Sequence, residues 1–160
     1  FCSGTFYLPN SSRKYRCHKR TGHGTVDLRG AMARSCDVFF YQLAMNLGID
    51  RITSTLGKFG FGHATGVDIP HERNGLLPSR DWKVRARKEA WFPGETLNIG
   101  IGQGYWVVTP LQLAQGTASL ANGGRRIPLR LVQATRTGLN QAWQPLPAPP
   151  ATSSFSGVAL

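Results

Sequence analysis

Apolar positions along this chain come in short bursts separated by glycine and proline, a pattern that predicts several brief helices rather than a few long ones. Phe40, Leu43, Ala44 and Leu47 recur at helical spacing with Gly48 behind them as a stop, which predicts a helix over 37–47. Ahead of it, Asp27 is placed to cap a short helix running through Arg34, its carboxylate accepting from the unpaired amides of the first turn. Asp50 takes the same role for a helix over 51–59 closed by Gly60, and Ser79 for a basic helix over 80–88. Thr109-Pro110 joins an N-cap to a proline at the first helical position; Leu111, Leu113, Ala114, Thr117, Ala118 and Ala121 follow, and Asn122-Gly123-Gly124 ends the run. Extended structure is expected at Val67-Asp68-Ile69, at 96–102 where apolar and polar residues alternate, and at 127–134, with a turn at Gly138-Leu139-Asn140. Residues 1–26 show no sustained apolar period and read as a long loop, of the kind that is functional or clamped by something. Residues 60–78 read as an irregular excursion. Beyond Trp143 the composition turns to Pro and Ser, so 1–144 is expected to form the domain and 145–160 a linker-like tail.

A hydrophobic share of 41% and a charged share of 17% over 160 residues place the chain among ordinary globular domains and exclude a disordered one. The net charge of +11 changes the picture more, because it calls for an anionic partner: nucleic acid, an acidic membrane surface or a cell-wall glycan. The charge is concentrated in two runs, Arg13, Lys14, Arg16, Lys19 and Arg20 in one, and Arg80, Lys83, Arg85, Arg87 and Lys88 in the other. Either run reads first as a solvated face. No stretch approaches the ~18 consecutive apolar residues of a membrane-spanning helix. The chain starts without the charged and apolar regions of a secretory leader, and it is expected to be a piece of something longer.

Three cysteines, Cys2, Cys17 and Cys36, cannot all pair with one another, and His23 lies among them in the order Cys-x14-Cys-x5-His-x12-Cys. Three thiolates and an imidazole are a common tetrahedral zinc set, although the spacing is that of neither a finger nor a ribbon. One disulfide plus a buried thiol, or three unrelated cysteines, explains the same residues. Two features favour the metal. A long polar loop without its own core gains an anchor from an ion, and Gly22 and Gly24 leave room for the His23 ring to approach a ligand sphere. His18 is a rival ligand without such flanks, and His63 and His71 read as surface histidines.

Ser35 and Asp37, flanking Cys36 at the mouth of the expected helix over 37–47, are by themselves common helix-capping residues. What changes their weight is the company they keep. Gly22-His23-Gly24, Ser35-Cys36-Asp37 with Phe39-Phe40-Tyr41-Gln42, and Gly48-Ile49-Asp50-Arg51 occur in this order. Gly57-Lys58-Phe59-Gly60-Phe61-Gly62, Thr65-Gly66-Val67-Asp68, and Ile101-Gly102-Gln103-Gly104-Tyr105-Trp106 with Thr109-Pro110-Leu111-Gln112 continue it. Over most of residues 1–135 the chain thereby resembles the penicillin-binding protein 2 family, the elongation-specific class B peptidoglycan D,D-transpeptidases.

The resemblance implies an α+β fold, an incomplete penicillin-binding transpeptidase domain made mainly of its helical part with a few strands. It implies that Ser35 relays protons in a serine acyl-transfer reaction, that Asp37 orients that relay, and that Cys2, Cys17, His23 and Cys36 hold a structural zinc ion beside the active site. The implied partners are peptidoglycan stem peptides, β-lactam antibiotics and membrane proteins of the elongation machinery, with no nucleic acid. The implied location of the parent protein is the periplasmic side of the bacterial inner membrane. The family's other two motifs are not convincingly here. Ser11-Ser12-Arg13-Lys14 imitates the nucleophile's Ser-x-x-Lys but sits in a polar loop; Arg20-Thr21-Gly22 and Arg136-Thr137-Gly138 imitate the Lys-Thr-Gly strand in the wrong places. These residues alone are therefore expected to be inactive. The alternative from another class is a zinc-stabilised basic nucleic-acid-binding module, against which stands the lack of aromatic residues interleaved with the basic runs.

Overall fold

The structure, a computed structural model, describes residues 1–148 and 150–153. The chain divides into two compact units, Phe1–Thr53 with Pro78–Trp106, and Ser54–Leu77 with Val107–Leu160. The mixture of helices and short strands is α+β, as the sequence predicts. No helix among the described residues is long and apolar enough to cross a membrane.

The first unit begins with a correction. Residues 1–26 are not simply a loop: β1 (Thr5–Tyr7) pairs antiparallel with β2 (Lys14–Arg16), Thr5 opposite Arg16. Each strand is only three residues long, too short for a hydrophobic period to show in the sequence. Asp27 caps α1 (Leu28–Ala33) as expected, accepting from the Gly30 amide at 2.7 Å. α2 (Asp37–Lys58) breaks at Gly48, whose φ of 73° and ψ of 158° interrupt the helix where the sequence placed a stop. Asp50 caps nothing there. Helical backbone resumes at once, and the Asp50 carboxylate instead meets Arg80 Nε at 3.0 Å. Ser79 caps α3 (Arg80–Arg87) as expected.

The stretch 96–102 is a second correction, because it contributes to α4 (Pro93–Gly100) and not to a strand. Local alternation suggested a period of two, but Pro93 at the start and Glu95 reaching back to the Phe92 amide at 2.7 Å nucleate a helix. The other oxygen of Glu95 receives the buried ammonium of Lys83 at 2.5 Å, so α3 and α4 are tied through one carboxylate. A side chain on Gly100 would meet the Ala44 methyl at 2.5 Å and the Phe40 carbonyl at 3.1 Å. Its absence lets α4 lie directly on α2. The main core gathers Tyr15, Ala31, Val38, Tyr41 and Leu97 around the three cysteines, and a smaller one joins Ile49, Trp91 and Ile99.

In the second unit, α5 (Pro110–Ala121) opens with Thr109 accepting from the Gln112 amide while the Gln112 side chain accepts from the Thr109 amide. The same buried Gln112 donates to the carbonyls of His63 at 2.6 Å and Asn74 at 2.7 Å, pinning the irregular excursion without regular structure. Val67-Asp68-Ile69 forms no strand. Ile69 N–H bonds back to the Val67 carbonyl at 2.8 Å, a tight turn that aims Asp68 outward.

The strand expected over 127–134 is absent too. Only its flanks pair: β3 (Arg125–Arg126) with β6 (Thr152–Ser153), and β4 (Ala134–Thr135) with β5 (Gln144–Pro145). Pro128 lacks an amide, and the Leu131 and Val132 amides are taken by the Asp68 carboxylate at 2.6 and 2.9 Å rather than by a neighbouring strand. Within the stretch expected as a linker, Pro145 and Thr152–Ser153 thus belong to paired strands, while 149 and 154–160 lie outside the described residues.

Two measurements test this account. Leu97→Ala, at a position with no exposed surface, should lower unfolding free energy by about 2–5 kcal/mol in urea titration; a loss below about 1 kcal/mol would refute its place in the core. Asp68 is held below the usual carboxylate range by the Leu131 and Val132 amides. Glu72 is also lowered: burial raises it, but the Thr65 hydroxyl and the Thr65 and Gly66 amides outweigh that. Both groups therefore stabilise the folded state above the ordinary carboxylate pKa of about 4, and that contribution disappears as pH falls through the lowered folded values. Acid unfolding followed by circular dichroism should be flatter in Asp68→Asn than in the native chain.

Candidate active-site cavity and metal-ligand cluster

The cluster of thiols is built by backbone pairing before any side chain is considered. Cys2 exchanges both main-chain hydrogen bonds with Gly24, at 2.8 and 3.0 Å, and Cys17 donates its amide to the Gly4 carbonyl at 2.9 Å. Gly22 makes the crossing feasible. Its φ is 79°, and a methyl group there would sit 2.2 Å from the Cys2 carbonyl and 2.8 Å from the Gly4 nitrogen. Cys36 enters from the turn between α1 and α2, its amide donating to the Ala31 carbonyl at 2.9 Å.

Cys2, Cys17, His23 and Cys36, the set the family resemblance implies, are brought together with their ligand atoms all within 4.8 Å of one another. The three thiols are buried and none is joined in a disulfide. His23 Nδ1 lies 3.5 Å from Cys17 Sγ and 3.7 Å from Cys2 Sγ. A tetrahedral ion with metal–sulfur bonds near 2.3 Å and metal–nitrogen bonds near 2.0 Å puts sulfur and nitrogen about 3.5 Å apart. The donor set fits zinc in type, number and spacing.

The surroundings favour the ligating form at His23 and Cys2 and oppose it at Cys36. Burial depresses His23, helped by the basic neighbours His18, Lys19 and Arg34, which favours the neutral imidazole that binds metal. Burial raises the Cys36 thiol to about 11. The same burial acts on Cys2, but the amides of His23 and Gly4 and the neighbouring thiols outweigh it and hold that thiol below its ordinary value.

On either side of Cys36, Ser35 and Asp37 line one cavity of about 410 Å³ together with Met32, Phe40, Gly100 and Ile101. Ser35 sits at φ 49°, in the left-handed region that few residues with a side chain adopt. Asp37 does not serve as a simple cap. Its carboxylate accepts from the backbone amide of His18 at 2.9 Å and lies 3.7 Å from that residue's Nδ1. The dipeptides Cys17-His18 and Cys36-Asp37 are therefore joined twice, thiol beside thiol and carboxylate to amide.

Sequence reasoning missed His18 as Asp37's partner; its adjacency to Cys17 was the available signal. It also missed Gly100 and Ile101 as cavity walls, because 96–102 was expected to be extended. Ser11 and Lys14 fall in the hairpin connection and in β2, the surroundings of a turn and not of a nucleophile helix.

Comparison with known proteins gives the family. The family model described as "Penicillin binding protein transpeptidase domain" matches residues 2–154. The peptidoglycan D,D-transpeptidase MrdA of Salmonella typhimurium is 46% identical over 138 residues, 86% of this chain and 22% of that protein. Among solved structures, penicillin-binding protein 2 (PBP2) of Pseudomonas aeruginosa is 45% identical with a TM-score of 0.78, covering 94% of this chain and 32% of that one. PBP2 of Helicobacter pylori, in its complex with MreC, is 30% identical with a TM-score of 0.82, covering 98% of this chain and 27% of that one. The chain thus spans about a fifth to a third of the length of the relatives it matches. On the strength of the matched residues and these identities, the chain belongs to the penicillin-binding protein transpeptidase domain family.

Proposed function

We propose that this chain supplies the proton-relay segment of a peptidoglycan D,D-transpeptidase that cross-links stem peptides during cell elongation. The single observation that carries the reading is that Ser35 and Asp37 line one cavity while Cys36 between them belongs to the buried ligand cluster. In this reading a serine elsewhere in a longer protein attacks the D-Ala-D-Ala carbonyl and expels the terminal D-Ala. The amine of a second stem peptide then resolves the acyl-enzyme. The Ser35 hydroxyl, able both to donate and to accept, passes the proton between an upstream lysine and the leaving or attacking amine. Asp37 can only accept when ionised, and holding the His18 amide it fixes the helix start that carries Ser35. β-Lactams acylate the same nucleophile.

Cys2, Cys17, His23 and Cys36 hold a zinc ion in this reading, which when bound supplies a structural cross-link rather than reaction chemistry. The complex of the Helicobacter pylori neighbour with MreC supports partners in the elongation machinery. The place proposed for the longer protein is the periplasmic side of the inner membrane. No observation favours the nucleic-acid-binding alternative, and the matched family is that of the penicillin-binding protein transpeptidase domain.

The 160-residue chain alone should remain unlabelled by a fluorescent penicillin, and covalent labelling at Ser11 would refute the assignment of the nucleophile. In the longer enzyme, Ser35→Ala should slow peptide cross-linking by about 10²–10⁴-fold, the usual worth of a positioned proton-transfer group. Purified protein should carry one zinc equivalent, lost in Cys36→Ser; unchanged metal in that variant would remove Cys36 from the site. Because the Cys36 thiol is raised to about 11, binding must displace its proton. Zinc affinity measured by competition should therefore weaken by about tenfold for each proton released per unit fall in pH.

A further inference from the structure

The basic run between 13 and 20 has no role in the reading above, yet the hairpin places part of it beside the cavity of Ser35. Arg16, at the end of β2, and His18 and Arg20, in the turn that follows, line a second cavity of about 380 Å³ together with Asp37, Tyr41 and Gln103. Asp37 and Ile101 line both cavities, so the two are neighbours within the first unit. A lone carboxylate in this second cavity would normally neutralise an arginine. Asp37 is instead directed to the backbone amide and ring of His18, at 2.9 and 3.7 Å. The Tyr41 hydroxyl is likewise occupied, donating to the Arg16 carbonyl at 3.4 Å. Among the described residues neither Arg16 nor Arg20 takes part in an ion pair.

Two guanidinium side chains at one concavity, against a single carboxylate that is hydrogen-bonded to the His18 amide and ion-paired with neither of them, create a local field that favours an anion, and their planar forks match a carboxylate best. Whatever occupies this cavity lies next to the atoms reacting at Ser35, so the anion is most economically part of the substrate itself.

We propose that Arg16 and Arg20 form a carboxylate subsite, which receives a free carboxylate of a stem peptide while that peptide's reacting end lies in the Ser35 cavity. The inference rests on the transpeptidase reading and deepens it by naming a substrate feature. Donor and acceptor peptides both bear carboxylates, and the chemistry of the subsite is the same for either.

The test uses the full-length enzyme and synthetic stem peptides made with the internal carboxylate either free or as the carboxamide, in the donor and then in the acceptor. The native enzyme should prefer the carboxylate by about tenfold or more in kcat/KM in one of these two arms, which identifies the strand recognised. In Arg16→Gln/Arg20→Gln that preference should fall toward one, with the melting temperature retained. Should the double variant not fold, Arg20→Gln alone, exposed and outside the ligand cluster, should reduce the same ratio. No preference in the native enzyme, or a preference untouched in the variants, overturns the subsite. If no peptide of either form is turned over, the transpeptidase reading is what fails. Calorimetric binding of the same peptides then decides the subsite, equal affinity for acid and amide overturning it and tighter binding of the acid supporting it.

Discussion

Three buried thiols and one imidazole meet within 4.8 Å, and they come from four pieces of chain that share little regular structure. Cys2 precedes the hairpin, Cys17 follows it, His23 stands in a glycine-flanked turn, and Cys36 lies at the mouth of α2. Each piece is too short to bury much apolar surface by itself. Drawn together, the sulfurs behave as part of the apolar interior, packed with Tyr15, Val38, Tyr41 and Leu97. The Ser35 cavity inherits its position from this junction, because the residue next to Ser35 is one of its members. His18 and Asp37 repeat the connection in polar form, so the start of α2 is fastened to the hairpin by two chemically different links.

The two units are held by different means. In the first, sulfur clustering, aromatic packing and the buried Lys83–Glu95 pair dominate. In the second, long stretches without helix or strand are secured by side chains acting as backbone partners. Gln112 serves two carbonyls and one amide, Glu72 two amides, and Asp68 two more. Such carboxylate and amide staples satisfy main-chain groups that a sheet would otherwise pair. They also explain why the excursion over 60–78 can be irregular and still well packed, with Phe61, Thr65 and Val67 buried.

What the sequence revealed and what it concealed divides along physical lines. Caps at Asp27, Ser79 and Thr109 were legible because a side-chain oxygen meeting a helix amide is a local event, and so was the break at Gly48. The grouping of Cys2, Cys17, His23 and Cys36 was legible in ligand type, with its arrangement supplied by family likeness. Pairing between distant segments was not legible. Three-residue strands carry no period, the staple from Asp68 to residues 131 and 132 spans more than sixty positions, and Glu95's reach to Lys83 depends on how α3 and α4 pack. Alternation at 96–102 misled because a helix start at Pro93 lay just outside the window being read. Ser35 and Asp37 read by themselves as ordinary caps, and family likeness rather than local pattern gave them a further role; the geometry adds that the Asp37 carboxylate accepts from the His18 amide.

The backbone at Ser35 carries one more implication. A residue with a side chain held at φ 49° sits in a conformation that glycine would adopt without strain, so a hydroxymethyl group persists there against the local preference of the chain. Replacing it by glycine would relax the turn between α1 and α2 while erasing its chemistry. Under the proposed proton relay, ease of folding and usefulness pull in opposite directions at this one position.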